Sequence, residues 1–351
     1  MTMSRILASV ALTAMLSCGT NGSNGTVGPT GLPGPEGPAG PMGDQGDKGD
    51  KGDPGMNGAN GPSTADIPLP GGFFYPESLT SLANGTLFIG SIGTGEVWKF
   101  VPGAQVPTKF ISADTSHKNV TGVLADETGG YLYLCANDFA APTAGSIQRY
   151  KLADGTLDKT YAFGVAAACN DMTFDANGNL FVTDSIGALY KLPAGGAALG
   201  AAWSTDAKLA SVTAGKYGAD GIAFDGTSNL FVTNFEDGKL LRVAINNDGT
   251  AGAIDEIVVT PAITRPDGLR YVNATTYLVI ENTEPGKLTQ LVIDNTAKTA
   301  AATVISNRLD LPTSVVKIGS VYWITEGQID QLLGGMMPNL PFYVRRLPSF
   351  N

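Results

Sequence analysis

Six polar residues recur through the C-terminal part of the chain, at successive spacings of 44, 49, 50, 47 and 46 positions. Three of them are carboxylates and one is a carboxamide, and oxygen ligands of this kind favour Ca²⁺ over zinc or copper. The sequence therefore predicts a calcium site, provided that the fold brings these side chains together. In chain order the six residues are Glu77, Thr121, Asn170, Asp220, Asp267 and Thr313, and the expected calcium ligands are Glu77, Asn170, Asp220 and Asp267.

Carboxylates that converge inside a protein need a compensating charge. They repel one another, and their burial is costly unless a cation accompanies them. For any one residue alone the simpler interpretation is a turn, because Asp-Gly and Asn-Asp are common turn dipeptides. The agreement in register across six repeats favours the metal site.

The segments that carry these residues are repeats of one β-rich unit. Each unit has a polar opening segment, a hydrophobic strand, a turn, and a second strand of the type Leu-Phe-Val-Thr, as at 180–183. A repeat of about 40–50 residues with several strands is typical of a propeller blade. We therefore predict an all-β fold, a six-bladed β-propeller over residues 64–351, with the six polar residues in one ring around the central channel.

A second set of polar residues follows in the second strands, at nearly equivalent positions of four repeats. These side chains could line the channel and orient the calcium ligands or hold water on the ion. The alternative is that each one caps the end of a strand. The set is Ser91, Asp184, Asn234 and Glu281, and Thr121 and Thr313 of the ring are grouped with it as channel-lining residues.

The order of the four expected ligands, together with the segment Phe-Asp-Ala-Asn-Gly-Asn-Leu-Phe-Val-Thr-Asp at 174–184, resembles the senescence-marker-protein/gluconolactonase family. Paraoxonases and diisopropyl fluorophosphatase are relatives of that family. The resemblance covers the whole predicted propeller and implies a catalytic Ca²⁺, with Asp267 as base or nucleophile. Two features depart from the family: Asp220 stands where asparagine is usual, and the single histidine, His117, is predicted to lie in a loop.

From this resemblance we expect a calcium-dependent hydrolase of small lactones or esters. The alternative is a non-catalytic module, resembling NHL-repeat propellers, that binds a surface protein or glycan, because propellers serve both roles. Arg265, beside Asp267, could receive an anionic substrate group or lie exposed at the rim. The net charge of −10 and the lack of a basic run argue against nucleic-acid binding.

Residues 1–18 have the features of an export signal. Arg5 supplies a positive charge, and the apolar stretch from Ile6 to Leu16 is too short to span a bilayer. The end of the segment, Leu-Ser-Cys, resembles the end of a bacterial lipoprotein signal. We therefore expect lipidation of Cys18 and a location at the bacterial cell envelope; the alternative is an ordinary secretory signal with Cys18 as a stray thiol.

From 19 to 63 every third residue is glycine, in 15 consecutive triplets. Only glycine fits at the crowded axis of a collagen triple helix, so this period predicts a collagen-like Gly-X-Y stalk and a homotrimer. The alternative is a disordered Gly/Pro linker on a monomer. The other two cysteines, Cys135 and Cys169, could pair in an oxidising compartment, but the sequence leaves their pairing open.

Overall fold

The computed structural model describes residues 65–115, 117–141 and 145–348. The predicted signal (1–18), the expected lipidation site Cys18 and the predicted stalk (19–63) lie outside these residues. Within the part that is described, no helix is long and apolar enough to cross a membrane.

The described chain forms six successive antiparallel meanders, each with its first strand innermost, which confirms the predicted all-β six-bladed propeller. The first blade contains β2 (Pro76–Ser81), β3 (Leu87–Ser91), β4 (Val97–Phe100) and β5 (Thr108–Ile111), and the second contains β6 (Asn119–Asp126), β7 (Tyr131–Asn137), β8 (Ser146–Lys151) and β9 (Leu157–Ala162). The third contains β10 (Cys169–Phe174), β11 (Leu180–Asp184) and β12 (Ala188–Leu192), and the fourth contains β13 (Ala219–Phe224), β14 (Asn229–Asn234), β15 (Lys239–Ile245) and β16 (Ala251–Thr260). The fifth contains β17 (Pro266–Asn273), β18 (Thr276–Glu281), β19 (Gly286–Asp294) and β20 (Thr299–Leu309), and the sixth contains β21 (Pro312–Ile318), β22 (Val321–Glu326), β23 (Tyr343–Pro348) and the N-terminal strand β1 (Ile67–Pro68).

The two ends of the propeller meet in the sixth blade. Strand β1 pairs with β23, so that the first described strand completes the last blade. Arg345 reinforces this closure, because its guanidinium donates to Asp66 at 2.7 Å and to Glu326 at 2.6 Å. The ring of blades is therefore closed by backbone pairing and by an ion-pair network.

Three blades deviate from a regular four-stranded meander. In the third blade an isolated bridge between Leu189 and Ser204 stands in place of a fourth strand. In the fourth and fifth blades the outer strands β16 and β20 are long and pair in parallel from Val258 to Thr260, which joins the two blades into one eight-stranded sheet.

The core lies between neighbouring blades. Six apolar clusters each join two adjacent blades, because successive side chains of a strand point to opposite faces and both faces are covered. Strand β11 shows this alternation: Leu180 and Val182 pack toward the second blade, whereas Phe181 packs toward the fourth. The Leu-Phe-Val pattern of the second strands thus arises because each strand packs against a neighbouring blade on both faces.

The structure pairs Cys135 with Cys169 as a disulfide, with 5.3 Å between their Cα atoms. The bond links β7 of the second blade to β10 of the third and is buried. Closing a loop of 34 residues stabilises the fold by about 3–4 kcal/mol in the chain-entropy account. The disulfide also fixes β10 directly before the ring residue Asn170.

Candidate functional site

The six ring residues lie in the six innermost strands, one in each blade. In every one of these strands the pairing with the second strand shifts register at the ring position, for example between Pro76 and Ser78. A bulge of this kind re-aims a side chain that would otherwise follow the regular alternation. The alternative of turn dipeptides is wrong, because Asp220-Gly221 and Asp267-Gly268 lie in bulged strands.

Close contacts between neighbouring blades fix the backbone of the ring. A Cβ atom on Gly221 or Gly268 would lie less than 3.0 Å from the backbone of the next blade, so these positions require glycine. The Thr233 hydroxyl donates to the carbonyl of Asp267 at 3.2 Å, and Thr183 makes the equivalent bond to Asp220. The residues beside each aspartate therefore hold it against its neighbour.

The structure brings together the carboxylates of three blades, those of Glu77, Asp220 and Asp267. Each of these residues is at most 7% exposed. Burial, followed by the negative charges of Asp267, Asp220 and Asp171, raises the pKa of Glu77 well above its usual range. The negative charge of Asp267 also acts on Asp220, so these two carboxyl groups influence each other's protonation.

The protonation of this cluster follows from burial. Burial first, and then the neighbouring carboxylates, raises the pKa of Asp220 well above its usual range. Burial also raises the pKa of Asp267 to about 7, although Asn282 opposes this by donating to its Oδ2 atom at 3.1 Å. Asn170 donates its Nδ2 to Asp220 Oδ2 at 3.1 Å. Without a metal ion, protonation of the carboxyl groups and hydrogen bonds from the Asn170 and Asn282 amides reduce the repulsion between the carboxylates.

Two buried oxygen atoms at this site lack a hydrogen-bond partner, Asp220 Oδ1 and Asn282 Oδ1. A buried acceptor without a partner is costly and indicates an additional ligand. Within the described ranges, no group of three or more His, Cys, Asp or Glu side chains is already arranged as a metal site. The donors fit Ca²⁺ by their chemistry and by the free acceptor of Asp220.

An ion pair that the sequence analysis did not anticipate crosses the channel beside the carboxylates. Arg270 of the fifth blade donates to the carboxylate of Asp171 in the third blade, and at 3.1 Å to Ser314 Oγ of the sixth. Asp171 is 4% exposed. A signal was present in the sequence, because Arg270 stands where the other five repeats have threonine, leucine, alanine or valine.

The remaining ring residues, Thr121 and Thr313, serve as links between blades. Thr121 Oγ1 donates to the carbonyl of Cys169 at 2.6 Å, and Thr313 Oγ1 donates to the carbonyl of Pro76 at 3.1 Å. Both side chains are buried. Their hydroxyl hydrogens point to backbone carbonyls rather than to the carboxylates.

The second set of polar residues occupies equivalent positions, opposite the first residue of each innermost strand. Each of them makes a hydrogen bond to the loop before the innermost strand of its blade, and within the described residues none of their hydrogen bonds involves a ring side chain. Ser91 donates to the Phe74 carbonyl, Asp184 accepts from Ala168 N, Asn234 donates to the Lys208 and Ala210 carbonyls, and Glu281 accepts from Thr264 N. The capping interpretation agrees with these contacts.

Two further residues differ from their sequence interpretations. Arg265 donates to both carboxylate oxygens of Asp330, at 3.0 and 2.8 Å, so its positive charge is already paired with a carboxylate. His117 is a fully buried residue whose Nδ1 lies 3.2 Å from Asp114, and burial lowers the pKa of its imidazole. His117 is therefore a buried residue in an isolated β-bridge with Asp114.

Stability in chelator should fall as the pH rises from 5 to 8. The folded-state pKa of Asp267, about 7, lies above the value of about 3.9 in an unfolded chain. Its contribution is complete below pH 3.9 and is lost as the pH rises through 7, at about 1.4 kcal/mol for each pKa unit of difference. Chemical denaturation of the full chain at several pH values measures this slope, and Asp267→Asn should reduce it. Stability that rises over this range in both proteins would contradict the assignment.

Comparison with known proteins supports the two-part organisation. A model described as collagen triple helix repeat matches residues 17–66. No curated protein sequence matches the chain.

Solved structures resemble the propeller at low sequence identity. A putative gluconolactonase is 15% identical, with 83% of this chain and 96% of that chain covered and a TM-score of 0.57. Virginiamycin B lyase from Staphylococcus aureus is 18% identical, with coverage of 74% and 80% and a TM-score of 0.53. A chain of a nidogen/laminin complex is 16% identical, with coverage of 68% and 84% and a TM-score of 0.50. At these identities the likeness shows the propeller fold.

Proposed function

We propose that the propeller is a calcium-dependent hydrolase of small lactones or esters. The observation that carries the proposal is the buried convergence of Glu77, Asp220 and Asp267 with an unpartnered oxygen on Asp220. Such a cluster is costly without a cation, and its oxygen donors suit Ca²⁺. The name of the gluconolactonase neighbour agrees with this reaction class.

Four residues would hold the ion: Glu77, Asn170, Asp220 and Asp267. The amide nitrogen of Asn170 is already used on Asp220 and Ser185, so its carbonyl oxygen is the donor for the ion. A cation would compensate the negative charges of Asp220 and Asp267 and would satisfy Asp220 Oδ1. The aspartate in place of the family's asparagine adds one negative charge, which favours binding of a divalent ion.

Asp267 would carry the reaction. When bound, calcium supplies Lewis-acid polarisation of the substrate carbonyl. A nearby cation keeps the Asp267 carboxylate ionised and makes it a weak base, so direct attack on the acyl carbon suits it better than proton abstraction. The bond to the alcohol oxygen breaks, that oxygen gains a proton from water, and a second water molecule hydrolyses the acyl-aspartate. Asn282 orients the carboxylate through Oδ2.

Calcium is expected to raise the melting temperature of the full chain, and chelator to lower it. A ligand that binds only the folded state at about 100 times its Kd adds about 2.7 kcal/mol of stability. Scanning calorimetry in chelator and in calcium measures the shift. Glu77→Gln should reduce the shift strongly. Glu96→Gln, an equally conservative change directly before β4, where Glu96 pairs with Lys109, should leave the shift intact. Identical melting in chelator and in calcium would contradict the calcium site.

We also propose that the protein is exported and held at the bacterial cell envelope as a lipid-anchored homotrimer. The collagen repeat supports trimers, and the Cys135–Cys169 disulfide agrees with an oxidising compartment.

Cys18→Ala should move the chain from the membrane fraction to the soluble fraction, since one covalent lipid anchor is lost. Sedimentation of the released chain should then give three times the chain mass. A variant that stays in the membrane fraction would contradict lipidation, and a monomer would contradict the stalk.

The second candidate is a non-catalytic propeller that binds a surface protein or glycan. It is favoured by the likeness to a chain of a nidogen/laminin complex. Calcium-dependent turnover of aldonolactones, aryl esters or organophosphates would decide for the hydrolase, and calcium binding without turnover of any of them would decide for the binding module.

A further inference from the structure

Two segments that are almost free of charge lie side by side where the propeller closes. The first, 67–76, contains no charged residue. The second, 327–342, contains only Asp330, whose carboxylate accepts two hydrogen bonds from Arg265. The two segments are joined by backbone pairing, because Leu69 N donates to the Phe342 carbonyl at 2.8 Å. This part of the surface therefore offers no free charge to water.

The same segments expose a cluster of large apolar side chains. An open cavity of about 370 Å³ lies among them and has a mainly apolar lining. Few charged residues, together with aromatic residues and methionine, are typical of the centre of a protein–protein interface. Five residues that are each more than half exposed form what we call the apolar patch: Phe73, Leu333, Met336, Met337 and Leu340.

Hydrogen bonds hold the loop that carries most of the apolar patch. Gln328 Nε2 donates to the Asn339 carbonyl at 2.9 Å, and Asn339 N donates to Gln328 Oε1 at 2.7 Å. The Asn339 side chain also donates to Asp310 at 3.0 Å. The apolar patch is therefore a preformed surface.

The apolar patch lies close to the strand through which the chain enters the propeller. Only residues 64–66 separate the last Gly-X-Y triplet from β1, and the match to the collagen repeat reaches residue 66. Pro68 of β1 pairs with Tyr343, which follows Leu340 by three residues, a span of at most about 11 Å along the backbone. Because the three chains of a collagen helix wind around one axis, a homotrimer would hold the surface around β1 of each propeller close to the same surface of the other two.

We propose that the apolar patch is the surface through which the three propellers of the homotrimer contact one another. This inference rests on the proposed stalk. A short tether holds the copies at an effective concentration in the millimolar range, at which a patch too small to hold two free proteins together becomes occupied. Three-fold symmetry presents the same residues of each copy to the axis. Another copy suits the patch better than an anionic membrane surface, because neither segment contains a lysine or arginine.

Cross-linking through a single introduced thiol tests the contact in the full chain. In a Cys18→Ala parent, Cys135 and Cys169 are bonded to each other, so Met337→Cys adds one free thiol to each chain. A short bismaleimide should join two of the three chains at a rate that does not depend on protein concentration. Leu157→Cys, which places the thiol at a half-exposed position in the β8–β9 hairpin, is the matched control and should cross-link at least about tenfold more slowly.

Sedimentation of the same parent chain over a range of concentrations measures the strength of the contact. Phe73→Ser with Met337→Gln should raise the concentration at which trimers form by at least about tenfold, because two large apolar side chains lose their burial. Leu157→Gln should leave that concentration unchanged. Circular dichroism of each protein records the triple helix separately.

The outcomes separate the apolar patch from the stalk. Trimers in which both thiols cross-link at equal rates, or which the double variant does not weaken, overturn the patch while the stalk stands. A parent chain that stays monomeric overturns both. Trimers that lack the triple-helix signal and that the double variant loses support the patch and overturn the stalk. Binding to phosphatidylcholine vesicles that the double variant loses, with its trimers unchanged, assigns the patch to lipid and overturns the contact between copies.

Discussion

Asp267→Asn is expected to abolish calcium-dependent turnover while the propeller stays folded. Asparagine has nearly the same shape, but its amide is neither a nucleophile nor a base. Loss of a group that reacts directly with substrate lowers kcat by at least about a thousandfold. The same change removes one of the mutually repelling buried carboxylates, so stability in chelator should be equal or higher.

The combination of lost turnover and retained stability is the diagnostic result for Asp267. Initial rates on lactones and aryl esters are measured beside the unfolding free energy in chelator. Asp255→Asn serves as the matched control, because Asp255 lies in β16 and pairs with Arg242 and Lys298 on the outside of the fourth blade. If Asp267→Asn keeps more than a tenth of the wild-type rate, Asp267 does not carry the reaction.

The blades and the ring could be predicted because their signals are local. Hydrophobic alternation and turn residues depend on neighbours within one repeat. The period of 44 to 50 residues is counted directly from one repeat to the next. Radial repetition then places equivalent positions together, so the convergence of Glu77, Asp220 and Asp267 follows from the period alone. Whether these groups bind calcium stays a prediction.

Contacts between distant blades could not be derived in the same way. Arg270 and Asp171 are 99 positions apart and occupy non-equivalent positions of their repeats, so the period does not relate them. Thr121 and Thr313 share the ring position, but the geometry of the bulge directs their hydroxyls to backbone carbonyls. Among the described residues, the sixth repeat alone has a helix, residues Ile329–Gly334, between its second and third strands, so the period says nothing of this loop.

Arg270→Met is expected to destabilise the propeller in chelator by about 3–5 kcal/mol. The change leaves Asp171 buried without its cation, and an uncompensated buried charge is costly. Its effect should extend to Glu77, because the Arg270 charge also opposes the rise in the pKa of that carboxyl. Arg149→Met is the matched control: Arg149 and Arg270 are 22% and 21% exposed, but the partner of Arg149, Asp158, is 23% exposed and stays hydrated.

A double-mutant cycle distinguishes a counter-ion of the whole cluster from a simple ion pair. Asp171→Asn should recover most of the stability that Arg270→Met loses, since it removes the orphaned charge. Arg270 donates to Asp171, Leu269 and Ser314, and its charge acts on Glu77 from a distance. Glu77→Gln should therefore also recover part of the loss if Arg270 compensates the carboxylates together. The unfolding free energies of the four proteins in chelator give the coupling between residues 77 and 270. Effects that add within about 0.5 kcal/mol would confine Arg270 to Asp171 alone. Coupling above that limit would make Arg270 the internal cation of the metal-free site, and calcium should then stabilise Arg270→Met more than the wild type.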